Sequence, residues 1–273
     1  TFTPTTKSEN TISTSKPTST VSTELLEPTH PTTNVLNYFS IFNVQGLKPL
    51  TVASSVPFVQ DVLKENNQLF IALTETWLQD HSDAELAIKN YKLFRCDRNR
   101  KKSRRGRLSG GVAIYMREDI ASYFKVKLKF SNGVNELLVL HSDHCNSLIA
   151  VLYRQPDDSS HGHKSGPEEF LIVMKKLKEI LTGLNGKFPD VFLCGDFNVP
   201  NIDWDTITIT PKSKDESETS QILIDFLNEF QLMQCIYRPT HIRGNILDLF
   251  FTNNKEIIHS YECIPPAPSI FSP

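Results

Sequence analysis

The sequence predicts a mixed α/β or α+β sandwich rather than a doubly wound parallel sheet. Short apolar runs of strand length outnumber the stretches with helical spacing. The helical stretches are separated by several strands instead of alternating with them one for one. Neither an internal repeat nor a second apolar core is visible, so the 273 residues read as one domain with a tail at each end.

Residues 1–34 are dominated by Thr, Ser and Pro and offer almost nothing to bury, which predicts a disordered tail. Structure is expected from residue 35. The aromatic run Leu36 to Phe42 reads as a strand ending at Asn43. Ser54 and Ser55 can cap a helix with Phe58, Val59, Val62 and Leu63 on one face. Leu69 to Leu73 is a buried strand that runs into Thr74-Glu75-Thr76-Trp77-Leu78, and Tyr91 to Arg95 is a short edge-like strand. Gly110-Gly111 precedes the strand Val112 to Met116. Residues 124–130 and 135–141 form a hairpin around Asn132-Gly133, the turn pair that tolerates positive φ. Ser147 to Tyr153 is a further strand, followed by Arg154-Gln155-Pro156. Pro167 opens a helix with Phe170, Val173, Met174, Leu177, Ile180 and Leu181 on one stripe. Residues 199–218 read as a polar loop, and a helix resumes with Ile222, Leu223, Phe226, Leu227 and Phe230. The last strand is Ile246 to Thr252, reached from Tyr237-Arg238-Pro239-Thr240 through a turn at Gly244-Asn245.

The stretch with most chemistry is Val191-Phe192-Leu193-Cys194-Gly195-Asp196-Phe197-Asn198. A buried strand that ends this way sends Asp196 and Asn198, one residue apart, to the same side. The first is an anion that binds a metal or takes a proton, and the second holds an oxygen as donor or acceptor. An Asx-turn closing the strand is the alternative reading. Asn43, Glu75 and Tyr153 also follow apolar strands, and Asp248 sits within one. Buried strands must pack together, so their polar ends are carried to a shared rim.

Charge is nearly balanced, 29 basic against 31 acidic residues, so a basic surface must be local. It is: Arg98, Arg100, Lys101, Lys102, Arg104, Arg105 and Arg107 crowd into one stretch. These side chains can neutralise phosphates, which predicts nucleic-acid contact that is salt-steep and blind to sequence; a solvated loop or an import signal is the other reading. The five cysteines form no C-x-x-C pair and their number is odd, as expected of free thiols in a reducing compartment. No apolar run approaches the roughly 20 residues of a membrane span.

Taken in order, Thr74-Glu75-Thr76-Trp77-Leu78, Gly110-Gly111-Val112-Ala113-Ile114-Tyr115, Tyr153-Arg154-Gln155-Pro156, Gly195-Asp196-Phe197-Asn198, and Arg238-Pro239-Thr240 with Leu247-Asp248-Leu249 resemble the endonuclease/exonuclease/phosphatase superfamily. They are most similar to the apurinic-endonuclease-like domain of non-LTR (LINE-type) retrotransposons; the likeness covers about residues 36 to 268, which places the domain at 35–268. The resemblance implies an α+β four-layer sandwich, two mostly antiparallel sheets face to face with helices outside. It implies a Mg²⁺-dependent DNA endonuclease, with Mn²⁺ as a substitute ion. Glu75 would ligate the metal with Asn43 beside it. Asp196 would orient and deprotonate the attacking water, Asn198 would fix that water or a phosphate oxygen, and Tyr153 would donate to the phosphate. Asp248 would orient a catalytic histidine.

In the family that histidine closes a Ser-Asp-His triplet, which has no counterpart in the closing residues 269–273. His241 and His259 are the nearest imidazoles in sequence. The expectation is therefore an endonuclease impaired by loss of this group. An inactive nucleic-acid-binding remnant and a phosphoesterase for a small phosphorylated substrate stand as alternatives. By the same resemblance the partner is DNA, with no membrane. A reverse transcriptase domain lies downstream in the full-length relative. The chain is a monomer, intracellular, and nuclear if active.

Overall fold

The computed structural model describes residues 20–25, 37–47, 55–65, 67–78, 81–99, 109–156, 166–184, 188–241 and 243–264. In chain order these form β1 (Thr20–Leu25), β2 (Asn37–Asn43), α1 (Ser55–Glu65), β3 (Phe70–Thr74), β4 (Tyr91–Cys96), β5 (Val112–Arg117) and α2 (Glu118–Ala121). Then follow β6 (Lys125–Ser131), β7 (Asn135–Ser142), β8 (Ser147–Arg154), α3 (Pro167–Thr182) and β9 (Asp190–Asp196). The chain continues with β10 (Ile202–Asp203), β11 (Thr208–Ile209), α4 (Lys214–Glu229), β12 (Met233–Gln234), β13 (Asp248–Thr252) and β14 (Ile258–Ile264).

Two six-stranded sheets carry the fold, in the orders β14-β1-β2-β3-β5-β4 and β12-β13-β9-β8-β7-β6. Pairing is antiparallel except at β2–β3 and β8–β9. The expected architecture is thus present: mixed α+β, sheet on sheet, with helices outside.

The layering follows from side-chain alternation. Phe39 and Ile41 of β2, Phe70 and Ala72 of β3, and Val112, Ile114 and Met116 of β5 face Leu138 and Leu140 of β7, Ile149 and Val151 of β8, Phe192 and Cys194 of β9, and Phe250 of β13. The residues between them face the other way. Phe42, Ile71, Leu73 and Tyr115 pack on Val56, Val59 and Leu63 of α1. Leu137, Val139, Leu148, Leu152, Leu193 and Phe251 pack on Phe170, Val173 and Leu177 of α3 and Leu223 and Leu227 of α4. Each such side chain, fully buried, contributes about 1.5–3 kcal/mol of transfer free energy.

Several local features differ from the expectation. Thr20–Leu25 lies inside the stretch expected to be a disordered tail, yet forms a strand between β2 and β14. Its Thr-Val-Ser-Thr segment is rich in β-branched residues, and the pairing satisfies backbone groups on both sides. The rest of that stretch, and the C-terminal segment from residue 265, lie outside the described residues. Helix α4 begins at Lys214, inside the expected loop, because the Ser213 side chain accepts the Glu216 amide as an N-cap. The small hairpin of β10 and β11 occupies the rest of that loop. Finally, β14 was not anticipated; its Ile-His-Ser-Tyr-Glu-Cys-Ile pattern is too polar to stand out as a run. Among the described residues no helix is long and apolar enough to cross a membrane.

Candidate active site

The alternation that fills the space between the sheets also decides what lies at its rim. Asn43 continues the series Phe39, Ile41; Asp196 continues Phe192, Cys194; Tyr153 continues Ile149, Val151; and Asp248 shares its face with Phe250. Cross-strand register then aligns them. Asp248 pairs with Asp196, Asp196 with Tyr153, and Tyr153 with Glu136, one row across four adjacent strands. In the facing sheet Asn43 pairs with Thr74, the residue before Glu75.

The two rims touch. Asn43 Nδ2 donates to Asp196 Oδ2 at 3.0 Å, from one sheet to the other. The Asn198 amide donates to Asp196 Oδ1 at 3.2 Å, so both carboxylate oxygens are held. Asn198 itself has a positive φ of 49°, which asparagine tolerates better than most residues. That conformation is secured by a reciprocal pair: Asn198 Nδ2 donates to the Arg154 carbonyl at 2.7 Å and the Arg154 guanidinium donates to the Asn198 carbonyl at 2.8 Å. Glu75, also at positive φ, accepts from Trp77 Nε1 and from the Gly110 amide. The Tyr153 hydroxyl donates to it as well.

The electrostatics of this rim are unbalanced. Burial pushes the Asp196 carboxyl well above the usual range, and the charges of Asp248 and Glu75 push it further, while the two hydrogen bonds pull it back. Burial and the charge of Glu75 likewise raise the Tyr153 phenol, so it remains a donor. Asp196 with the neighbouring carboxylates of Asp248 and Glu75, joined by a neutral amide oxygen, forms a hard donor set that a divalent cation would relieve. Among the described residues no group of three or more His, Cys, Asp or Glu could hold a metal by itself. Mg²⁺ does not require one, since it is commonly held by one or two carboxylates and keeps several waters. Glu75 and Asn43 fit that role.

Solved structures share this architecture. The AP endonuclease LMAP from Leishmania major aligns at a TM-score of 0.53 and 17% identity, over 80% of this chain and 79% of that one. NExo from Neisseria, a 3' phosphatase bound to a product DNA hairpin, aligns at a TM-score of 0.51 and 17% identity, over 78% of this chain and 85% of that one. Residues 147–272 match the family model described as endonuclease-reverse transcriptase. This is the endonuclease/exonuclease/phosphatase fold. No curated protein sequence matches the chain.

Within the endonuclease/exonuclease/phosphatase fold, the strand-end residues Asn43, Glu75, Tyr153, Asp196, Asn198 and Asp248 come together. Asp248 opens β13 rather than lying within it, and Thr240 Oγ1 accepts the amides of Leu247 and Asp248, which fixes the strand's entry. The expected basic surface is corrected at one position. Arg98 does not face solvent: it is buried and paired with Glu136 at 3.0 Å, because five acceptor oxygens surround its guanidinium. Arg100, Lys101, Lys102, Arg104, Arg105 and Arg107 lie outside the described residues. Of the two named imidazoles, His241 accepts the Arg243 amide through Nδ1 within its own turn, and His259 is exposed on β14. Sequence reasoning missed Glu136; its signal was a carboxylate heading the apolar run Leu137 to Leu140.

Proposed function

We propose that this chain is a metal-dependent DNA endonuclease of the retrotransposon type, hydrolysing a phosphodiester to leave a nick. The observation that carries this reading is the contact between the sheets, Asn43 to Asp196, with Glu75, Tyr153 and Asp248 on the same rim. Such convergence of carboxylates, an amide and a phenol suits in-line attack of water on phosphorus. The endonuclease-reverse transcriptase match over residues 147–272 supports the substrate class, as does the run of cations at 100–107.

Mg²⁺ held by Glu75 and Asn43 would supply Lewis-acid stabilisation of charge on the phosphate and leaving oxygen. Asp196 is the base. Its two oxygens are oriented by Asn43 and by the Asn198 amide, and its raised proton affinity makes it a stronger base toward water than an ordinary carboxylate. As that proton leaves, the water oxygen bonds to phosphorus and the bond to the leaving oxygen breaks. The Asn198 side-chain nitrogen is engaged by the Arg154 carbonyl, so its oxygen is the atom offered to the attacking water. Tyr153, a persistent donor, shifts from Glu75 to a phosphate oxygen when substrate arrives.

A supercoiled-plasmid nicking assay tests this reading. Nicking is expected with Mg²⁺, absent with chelator, and reduced at least about 10²-fold in Asp196→Ala. No change in plasmid topology at high protein concentration would exclude it, and hydrolysis of a small phosphoester by the same preparation would redirect it to that substrate class.

A further inference from the structure

Next to the rim lies a charged pair that the proposed chemistry does not use. Arg98 and Glu136 have side-chain exposures of only 2% and 0%. Arg98 Nε donates to Glu136 Oε1 at 3.0 Å and a terminal nitrogen to Oε2 at 3.1 Å. The remaining donors reach Ser109 Oγ at 3.0 Å, Gln155 Oε1 at 2.7 Å and the Val134 carbonyl at 3.3 Å. Glu136 also accepts from Ser131 Oγ at 2.9 Å and from the Gly111 amide at 3.0 Å. Burying two charges adds little net stability even when they are well paired, so the pair is better explained by what it holds in place.

It holds two things. The guanidinium lies over the Tyr153 ring, 5.4 Å from its centroid. It also lies against Gly110, where an added Cβ would stand 2.4 Å from Arg98 Nε. Both contacts lead to one carboxylate, since the Gly110 amide donates to Glu75 Oε2 at 2.9 Å and the Tyr153 hydroxyl donates to the same side chain. The turn is fixed from its other side by Thr76 and Trp77, whose amides donate to the Gly111 and Gly110 carbonyls.

We infer that Arg98 is a positioning residue: with Glu136 it clamps the Gly110-Gly111 turn and the Tyr153 ring, and through them sets the orientation of Glu75. The functional half of this inference rests on the role given to Glu75 and Tyr153 above. The fork geometry matters, because a single ammonium cannot reach Glu136, Ser109 and Gln155 together.

The test uses the full chain with Arg98→Lys and with the double variant Arg98→Met/Glu136→Gln, since Arg98→Met alone would strand a buried carboxylate. Amide exchange is followed at Gly110 and Gly111 and, as references, at Val151 and Phe192 between the sheets. Nicking kcat and KM are measured with the salt dependence of DNA affinity. In the double variant the two glycine amides should exchange at least about tenfold faster with the references unchanged. Its kcat should fall about 10–100-fold, as for lost outer partners of a site, with KM and salt slope unchanged. Arg98→Lys should keep the references protected without restoring kcat. A salt slope shallower by about 0.9 with unchanged glycine exchange would make Arg98 a phosphate contact and overturn the inference. So would equal loosening at all four amides, or wild-type kcat in Arg98→Lys. Selective loosening of the glycines in a chain whose wild type does not nick would sink the endonuclease reading and leave the clamp standing.

Discussion

Gly195 stands one residue before Asp196 and pairs with Leu152 across the parallel β8–β9 ladder. It has a φ of +132°, and a Cβ built on it would lie 2.0 Å from the Leu152 carbonyl oxygen, 2.9 Å from the carbonyl carbon and 3.0 Å from the amide nitrogen. All three are backbone atoms of the adjacent strand, so no side chain can swing away. Contacts of this kind essentially never fall below 3.0 Å, so Gly195→Ala must part the strands locally by about 1 Å. Unfavourable φ costs about 1–3 kcal/mol and forced repacking about 1–3 kcal/mol, which puts the destabilisation at roughly 2–6 kcal/mol. Asp196 moves with the strand, and a misplacement near 1 Å costs about 10²-fold in rate. Gly244→Ala is the matched control: its φ is +82°, but nothing lies within 4 Å of the added Cβ. It should lose only about 1–2 kcal/mol of stability to conformational strain and retain nicking. Urea midpoints and single-turnover nicking of both variants separate the effects. If Gly195→Ala matches Gly244→Ala in midpoint and rate, the close approach of β8 and β9 does not constrain the site and the reasoning fails.

Two further outcomes follow from the charges. Asn43→Asp replaces the donor to Asp196 with a like charge and must raise the proton affinity of Asp196 further. The acid limb of the nicking pH profile should therefore move to higher pH and activity at pH 7 should fall about 10–100-fold; an unmoved limb would mean that Asp196 is not the titrating base. Burial pushes the Asp97 carboxyl up to about 6 despite the opposing charge of Arg95. Its folded pKa exceeds its unfolded one, so the native state binds the extra proton and stability declines as pH rises from about 4 through about 6. Relative to Asp97→Asn, which lacks this titration, the wild-type urea midpoint should drop between pH 4 and pH 7; parallel profiles would refute it.

Much of the strand architecture was open to view in the sequence because burial on both faces leaves continuous apolar runs. Leu69 to Leu73, Val112 to Met116 and Val191 to Cys194 announce themselves in this way. Segments whose partners are remote in sequence were not legible. Thr20–Leu25 is polar enough to read as tail, and it becomes a strand through the backbones of β2 and β14 on either side. Arg98 looked like its neighbours in a basic run, and only the arrival of Glu136 and Gln155 from the other sheet turned it inward. The chemistry of the rim divides the same way. Residue types and alternation, set by the two-residue period of a strand, put Asn43, Tyr153 and Asp196 on the core-facing side of their own strands. That Asn43 meets Asp196, that Glu75 is held by Tyr153 and Gly110, and that Asp248 adds its charge to Asp196 depend on register and on how two sheets stack. Those are sums of many distant contacts, and they exist only once the whole chain has packed.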